Sequence, residues 1–206
     1  MAARDFVEAF VAEDLVLQTA RQVAKEFGLT PITPGAGAVL RLLAAAGDAK
    51  SVVEIGTGTG VSGLWLLRGM RPGGVLTTID LDGEHQRIAR RIFISAGFAA
   101  SRTRIITGHA LEVLPRLADG LYDLIFVDAD VIDYAGCVDG ALRLLRPGGM
   151  LVLDGALAGG RVGDPVARDP KTVAMRAVVK AIRDAPAWIP ALLPASAGLL
   201  CAVKSR

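Results

Sequence analysis

The stretch Val52-Val53-Glu54-Ile55-Gly56-Thr57-Gly58-Thr59-Gly60 decides the fold. It reads as a short buried strand, then an abrupt glycine-rich turn, then a helix that starts near Val61. Glycines let a backbone turn tightly and come close to a ligand. A helix start presents unpaired N–H groups. Together these features make a site of nucleotide size, and the remainder of the chain reads as the walls around it.

Downstream, strands are expected over 75–79, 104–107, 122–127 and 150–153, separated by helices over 61–70, 83–96, 111–117 and 133–145. Strands that alternate with helices predict an α/β fold: a Rossmann-like, doubly wound, mostly parallel sheet with helices on both faces. A further helix over 171–184 and strands near 190–193 and 198–203 bring the expected sheet to seven strands. Upstream, Phe6, Val7, Phe10, Val11 and Leu15 recur at helical spacing, which predicts one helix over 3–27. A helix over 35–46 follows, stopped by Gly47. The chain thus divides into an N-terminal helical extension, 1–30, and one domain, 31–206. The extension reads as a lid, a subunit contact, or an amphipathic helix docked on its own domain.

The composition narrows the class. A chain of 206 residues fits one large domain, and a hydrophobic fraction of 52% suits strands buried on both faces. The net charge is +2 and no basic block is interleaved with aromatics, so nucleic acid is not an expected partner. Cys137 and Cys201 lie far apart, with no C-x-x-C pair, and the early acidic residues are unlike a secretory signal; a reduced, cytoplasmic protein is expected. Residues 185–203 carry no charge, but Pro186, Pro190, Pro194 and Gly198 interrupt them. They read as strands and a turn, so no membrane partner is expected.

The glycine spacing separates two ligand classes. A dinucleotide fingerprint wants G-x-G-x-x-G, and its third glycine is here Val61. Glu54 also stands two residues before the first glycine, where a pyrophosphate would not welcome a carboxylate and a cationic ligand would. Asp80, Asp128, Asp130 and Asp154 fall at the carboxyl ends of expected strands, where open α/β sheets bind ligands.

These motifs resemble those of the class I S-adenosylmethionine-dependent methyltransferases. The segments PITPGAG, VVEIGTGTGVSGLWL, TTIDLDGEHQRIAR, YDLIFVDADVIDY, LLRPGGMLVLD and GGRVGDP narrow the resemblance to bacterial O-methyltransferases related to the catechol and caffeoyl-CoA enzymes. The resemblance implies S-adenosylmethionine as cofactor and a small hydroxylated molecule as acceptor; a divergent, metal-independent methyltransferase with a different acceptor and a non-catalytic S-adenosylmethionine-binding protein are the alternatives. It implies that Gly56, Thr57, Gly58 and Gly60 pass under the methionine part and that Ser62 bonds its carboxylate. Asp80 would take the ribose hydroxyls. Leu81 and Ala110 would lie by the adenine, and Ile32 and Thr33 would close over the front. Asp128 would stand at the mouth near the sulfonium, with Glu54 close to the positive end or bonded to N–H groups of the turn. It also implies a homodimer.

The resembling family holds a divalent ion such as Mg²⁺ on an Asp ending the fourth strand and an Asp-Asn pair ending the fifth. A lysine three residues after the first Asp serves as its base. Here Asp128 and Asp154 match the aspartates, but the Asn position is Gly155 and the lysine position is Val131. Asp128 and Asp154 are therefore the candidate metal ligands. Asp128 and Asp130 are the candidate catalytic residues, with Asp133, His109 and Tyr134 as alternative bases.

Overall fold

A computed structural model describes residues 3–206. Its seven strands are β1 (Ser51–Ile55), β2 (Val75–Asp80), β3 (Thr103–Thr107), β4 (Tyr122–Val127), β5 (Leu145–Leu153), β6 (Trp188–Leu193) and β7 (Leu199–Lys204). They form one sheet in the order β3-β2-β1-β4-β5-β7-β6. The first five pair in parallel, and β7 runs antiparallel to both β5 and β6. This is the expected mostly parallel, Rossmann-like sheet.

Side chains alternate between the two faces of the sheet, as a period of two requires. Val53, Ile55, Ile125, Val127, Leu151 and Leu153 enter one apolar core. Val52, Leu124, Phe126 and Val152 enter the other. The first core is closed by α6 (Ala110–Val113), α7 (Tyr134–Leu144) and α8 (Pro170–Asp184). The second is closed by α2 (Leu15–Glu26), α3 (Pro34–Ala46), α4 (Val61–Gly69) and α5 (Gly83–Ser95). Each large side chain buried in this way stabilises the fold by about 1.5–3 kcal/mol. Trp65 and Trp188 are both core residues.

Two local expectations are corrected. The helix expected over 3–27 is two: α1 (Ala3–Phe10) and α2, because Asp14 starts a new helix by accepting from Leu17 N at 3.0 Å. Arg21 then grips Glu13 through Nε and Nη2 and donates from Nη1 to Ile32 O, which ties α2 to the loop before α3. Strand β5 begins not at residue 150 but at Leu145, which pairs with Tyr122; Arg146-Pro147-Gly148-Gly149 then bulges out unpaired opposite Asp123, and pairing resumes at Met150 with Leu124. Helix α3 ends at Ala46 with Gly47 as its C-cap, as expected, and the left-handed residue that follows is Asp48 (φ 47°). Residues 1 and 2 of the expected extension lie outside the described residues. Leu17, Ala20 and Ala24 of α2 share the second core.

Helices α3 and α4 cross closely because glycines stand at the contact. A Cβ on Gly37 would lie 2.2 Å from Trp65 Nε1, and one on Gly69 would lie 2.2 Å from Arg41 O. Gly37→Ala is therefore expected to lower the unfolding free energy by about 1–3 kcal/mol through overpacking. Gly163→Ala, where nothing lies within 4 Å of the added Cβ, should stay within about 0.5 kcal/mol of wild type. Urea denaturation of both variants checks this, and an unchanged midpoint for Gly37→Ala would contradict the packing.

Candidate functional site

The turn after β1 is built against the end of β4. Gly56 has φ 97°, and a Cβ there would lie 1.9 Å from Asp128 O, so no other residue fits without moving the strand end. Asp80, closing β2, holds the turn: its Oδ2 accepts from Gly58 N at 2.9 Å, and its Oδ1 accepts from Asp82 N at 2.9 Å. Thr59 Oγ1 donates to Ala20 O at 2.8 Å and anchors the turn to α2. Gly60 caps α4 and packs against Ala89 and Phe93.

Glu54 is fully buried beneath the turn. Its Oε1 accepts from Ser62 Oγ and its Oε2 from Thr78 Oγ1, each at 2.6 Å. The expectation of bonds to turn N–H groups is thus replaced by two hydroxyl partners. Thr78 shares a 2.7 Å hydrogen bond with Thr57, and Gln86 Nε2 donates to Thr57 Oγ1 at 3.3 Å and to Ile106 O at 2.8 Å. Thr107 Oγ1 completes the chain by donating to Gln86 Oε1 at 2.6 Å. Burial pushes the Glu54 carboxyl up to about 8, against the pull of its two hydroxyl donors.

Two cavities of about 310 and 180 Å³ meet at Gly56, Asp80 and Asp128, which line both. The larger brings together Ile32, Thr57, Gly58 and Ser62. The smaller brings together Leu81, Ala110 and Asp130. Glu54 and Gly60 line neither and act from below, and Thr33 faces a third cavity, where it also caps α3 by accepting from Ala36 N at 3.4 Å. Asp130 turns outward: it is exposed, accepts from Ile132 N and pairs with Lys171 at 3.1 Å. His85, on α5 in the wall of the larger cavity, was not foreseen; nothing but helical spacing marks it. His109, beside the smaller cavity, contacts Asp133 at 3.1 Å. Tyr134 is buried, its hydroxyl donates to Asp154 O at 3.1 Å, and burial raises its pKa far beyond the working range of a base.

The third cavity, of about 1020 Å³, opens beyond Asp154 and shares Thr30 and Pro31 with the larger lobe of the cleft. Asp154 is 8% exposed, and its Oδ1 has no hydrogen-bond partner. Burial, together with the neighbouring Asp154 charge, raises the Asp128 carboxyl to about 7. These two carboxylates are the donors available for the ion that the resemblance implies. Gly155 offers no side chain, and among the described residues no group of three or more His, Cys, Asp or Glu could hold a metal. The donor set does not match the ion's implied ligands, and no chemical step below runs through one.

The fold agrees with what the chain is similar to. A family model described as O-methyltransferase matches residues 3–205, and the chain belongs to that family. The protein named "Probable O-methyltransferase Rv1220c" of Mycobacterium tuberculosis is 51% identical over 197 residues, 96% of this chain and 88% of its own. A Corynebacterium glutamicum protein superposes with a TM-score of 0.92 at 36% identity, over 98% of this chain and 95% of its own. The O-methyltransferase TomG from Streptomyces achromogenes, in complex with SAM, gives 0.88 at 30% identity, over 98% and 95%. The O-methyltransferase from Bacillus cereus, in complex with SAH, gives 0.88 at 28% identity, over 98% and 96%.

The buried Glu54 makes a stability prediction. Its pKa is raised on folding from 4.5 to about 8, so the folded chain binds more protons than the unfolded chain between those values. Its contribution to stability is thus present below pH 4.5 and lost as the pH rises toward 8. One such proton contributes a slope of about 1.4 kcal/mol per pH unit. Denaturation of wild type and Glu54→Gln between pH 5 and 8 should show the variant's curve flatter by about that slope, and parallel curves would contradict the assignment.

Proposed function

We propose that the two-lobed cleft binds S-adenosylmethionine and that the chain transfers its methyl group to a hydroxyl of a small acceptor held in the Asp154 cavity. The observation that carries this reading is the shared wall. Asp128 lines both lobes of the cleft, and the strand beside it ends at Asp154 in the neighbouring cavity. The cleft suits the cofactor: Gly56 leaves no Cβ in the floor, and the first turn of α4 offers N–H groups to a carboxylate. The SAM and SAH complexes of TomG and of the Bacillus cereus enzyme support the same reading.

S-adenosylmethionine supplies an electrophilic methyl group that an acceptor oxygen displaces in line. The chain's work is alignment, which lowers such a barrier by about 7–11 kcal/mol at best. In this reading Gly56, Thr57, Gly58 and Ser62 hold the methionine part. Asp80 takes the ribose hydroxyls, Leu81 and Ala110 flank the adenine, and Ile32 closes the front. Glu54 offsets the positive charge from beneath. Asp128 receives the acceptor's proton, because its raised pKa suits proton transfer near neutral pH. Asp130, tied to Lys171, supports the loop rather than the chemistry.

Calorimetry with S-adenosylmethionine and with NADH tests the cofactor: the first should bind and the second should not, and the reverse result overturns the reading. Asp80→Ala should weaken S-adenosylmethionine by about 1–3 kcal/mol, since a charged acceptor is lost. Unchanged affinity would remove Asp80 from the ribose.

The assembly and setting extend this reading. Phe6, Phe10 and Leu42 are 61%, 75% and 65% exposed along a groove of about 520 Å³ between α1 and α3, an apolar face suited to a second copy of the chain. Phe10→Glu should convert a homodimer to monomers in sedimentation velocity, and identical profiles would count against this interface. Cys137 and Cys201 are free thiols, which accords with a cytoplasmic setting. Among the described residues no helix is long and apolar enough to cross a membrane. Residues 1–30 are read as a cover over the cleft and the acceptor cavity, and 31–206 as the methyltransferase domain.

A further inference from the structure

We infer that the acceptor carries a protonated amine a few bonds from its reacting hydroxyl, and that Asp154 selects it. This rests on the methyltransferase reading above and names the acceptor's chemistry.

The acceptor cavity has a one-sided charge. Among its described lining residues only Glu8 and Asp154 are charged, and the remainder are apolar, small or hydroxylated. Of the described cations near the loop after β5, Arg161 pairs with Asp169 and Lys171 with Asp130. Glu8 is already held, since its Oε2 accepts from Gly35 N at 2.7 Å at the start of α3. Asp154 is different. It is 8% exposed, its Oδ2 accepts a long 3.5 Å contact from Ser196 Oγ, the Gly155 N–H and that contact oppose the upward push of burial on its pKa, and its Oδ1 has no hydrogen-bond partner. A buried acceptor atom left unpaired is costly, and a donor that enters beside it relieves the cost. The carboxylate's desolvation has already been incurred by folding, so an incoming ammonium gains the attraction without that part of the penalty. There is room for it: Gly155 has no side chain, and nothing lies within 4 Å of where its Cβ would be.

The sheet sets the spacing. Val127 of β4 is paired with Leu153 of β5, so Asp128 and Asp154 end adjacent strands at the same level. Neighbouring strands lie about 4.8 Å apart. An acceptor whose hydroxyl reaches Asp128 would thus present a nitrogen to Asp154 when the two groups are about 5 Å apart. An acceptor with a carboxylate or phosphate at that point would face Asp154 with no cation among the described lining residues to receive it, and is disfavoured.

The test uses the full chain loaded with S-adenosylhomocysteine, in EDTA, and three probes of similar shape: 3-hydroxybenzylamine, 3-ethylphenol and 3-hydroxybenzoate. Affinities are read by ligand-observed NMR titration. The amine should bind about tenfold or more tighter than the ethyl compound, and the benzoate weakest. Asp154→Asn, checked for folding by its thermal melt and by its cofactor titration, should reduce the amine's advantage to about threefold or less. Equal binding of the amine and ethyl probes to the cofactor-loaded chain overturns the inference. So does an advantage that survives in Asp154→Asn, or one that appears only when Mg²⁺ is added. A chain that fails to bind the cofactor at all would instead sink the methyltransferase reading, and this inference with it.

Discussion

The molecule is organised around the approach of the β1 turn to the end of β4. Gly56 lies so close to Asp128 O that a single added carbon would occupy the carbonyl's space. The backbone ladder continues past the strands to hold this arrangement. Gly56 N donates to Ile79 O, Asp128 N to Ile55 O, and Asp154 N to Val127 O, at 2.8–3.0 Å. Each strand end is thereby fixed to its neighbour, and the acids that follow are placed at one level. The point of approach is also where strand order reverses, with β2 and β3 on one side of β1 and β4 and β5 on the other. A cleft opens at such a reversal because the flanking helices depart to opposite faces.

Beneath that approach, a run of buried side chains gives the turn its stiffness. The hydrogen-bond directions are constrained. With Glu54 ionised, Thr78 donates to it, so Thr78 accepts from Thr57, which in turn accepts from Gln86. Ser62 spends its proton on Glu54 as well. Each member thus has a partner, and such a satisfied network specifies one arrangement of its surroundings. The cost is a carboxylate removed from water, and it falls beneath the cleft in which a sulfonium would lie. A cation above would lower that cost, so the least comfortable group in the fold is the one that best matches the proposed ligand.

Much of this was legible in the sequence, for physical reasons. Strand and helix periods gave the sheet, and the glycine spacing with Glu54 separated a sulfonium cofactor from a dinucleotide. Asp80 and Asp128 were marked by their positions at strand ends. What escaped depends on partners remote in sequence. The break between α1 and α2 is set by Asp14, whose carboxylate both caps α2 and pairs with Arg68. Glu54 looked like a ligand residue or a turn cap because the hydroxyls of Ser62 and Thr78 meet it only in the folded sheet. Asp130 looked equivalent to Asp128 by spacing, yet the chain has left β4 at Val127, and Asp130 instead caps the turn over Val131–Asp133, accepting from Ile132 N and pairing with Lys171. Arg146-Pro147-Gly148-Gly149 has the composition of a turn and forms an unpaired bulge, but the pairing of Leu145 with Tyr122 before it carries the strand further back than its composition suggests.

The two halves of the site also differ in what builds them. The cofactor cleft is shaped chiefly by backbone: a glycine at a close approach, a ladder of N–H donors and a helix start. Changes there would strain the sheet itself. The acceptor cavity is shaped by side chains on α1, on the loop after β5 and on the segment between β6 and β7. Those segments vary with little effect on the core, as loops generally do. Gly155, in the loop after β5, is one of the two positions where the chain departs from its resemblance; Val131, after β4, is the other. Similarity over nearly the whole chain therefore speaks to the cofactor and the reaction. The acceptor is written in the few side chains around Asp154, where an unpaired carboxylate oxygen and a missing side chain leave a place shaped for a donor.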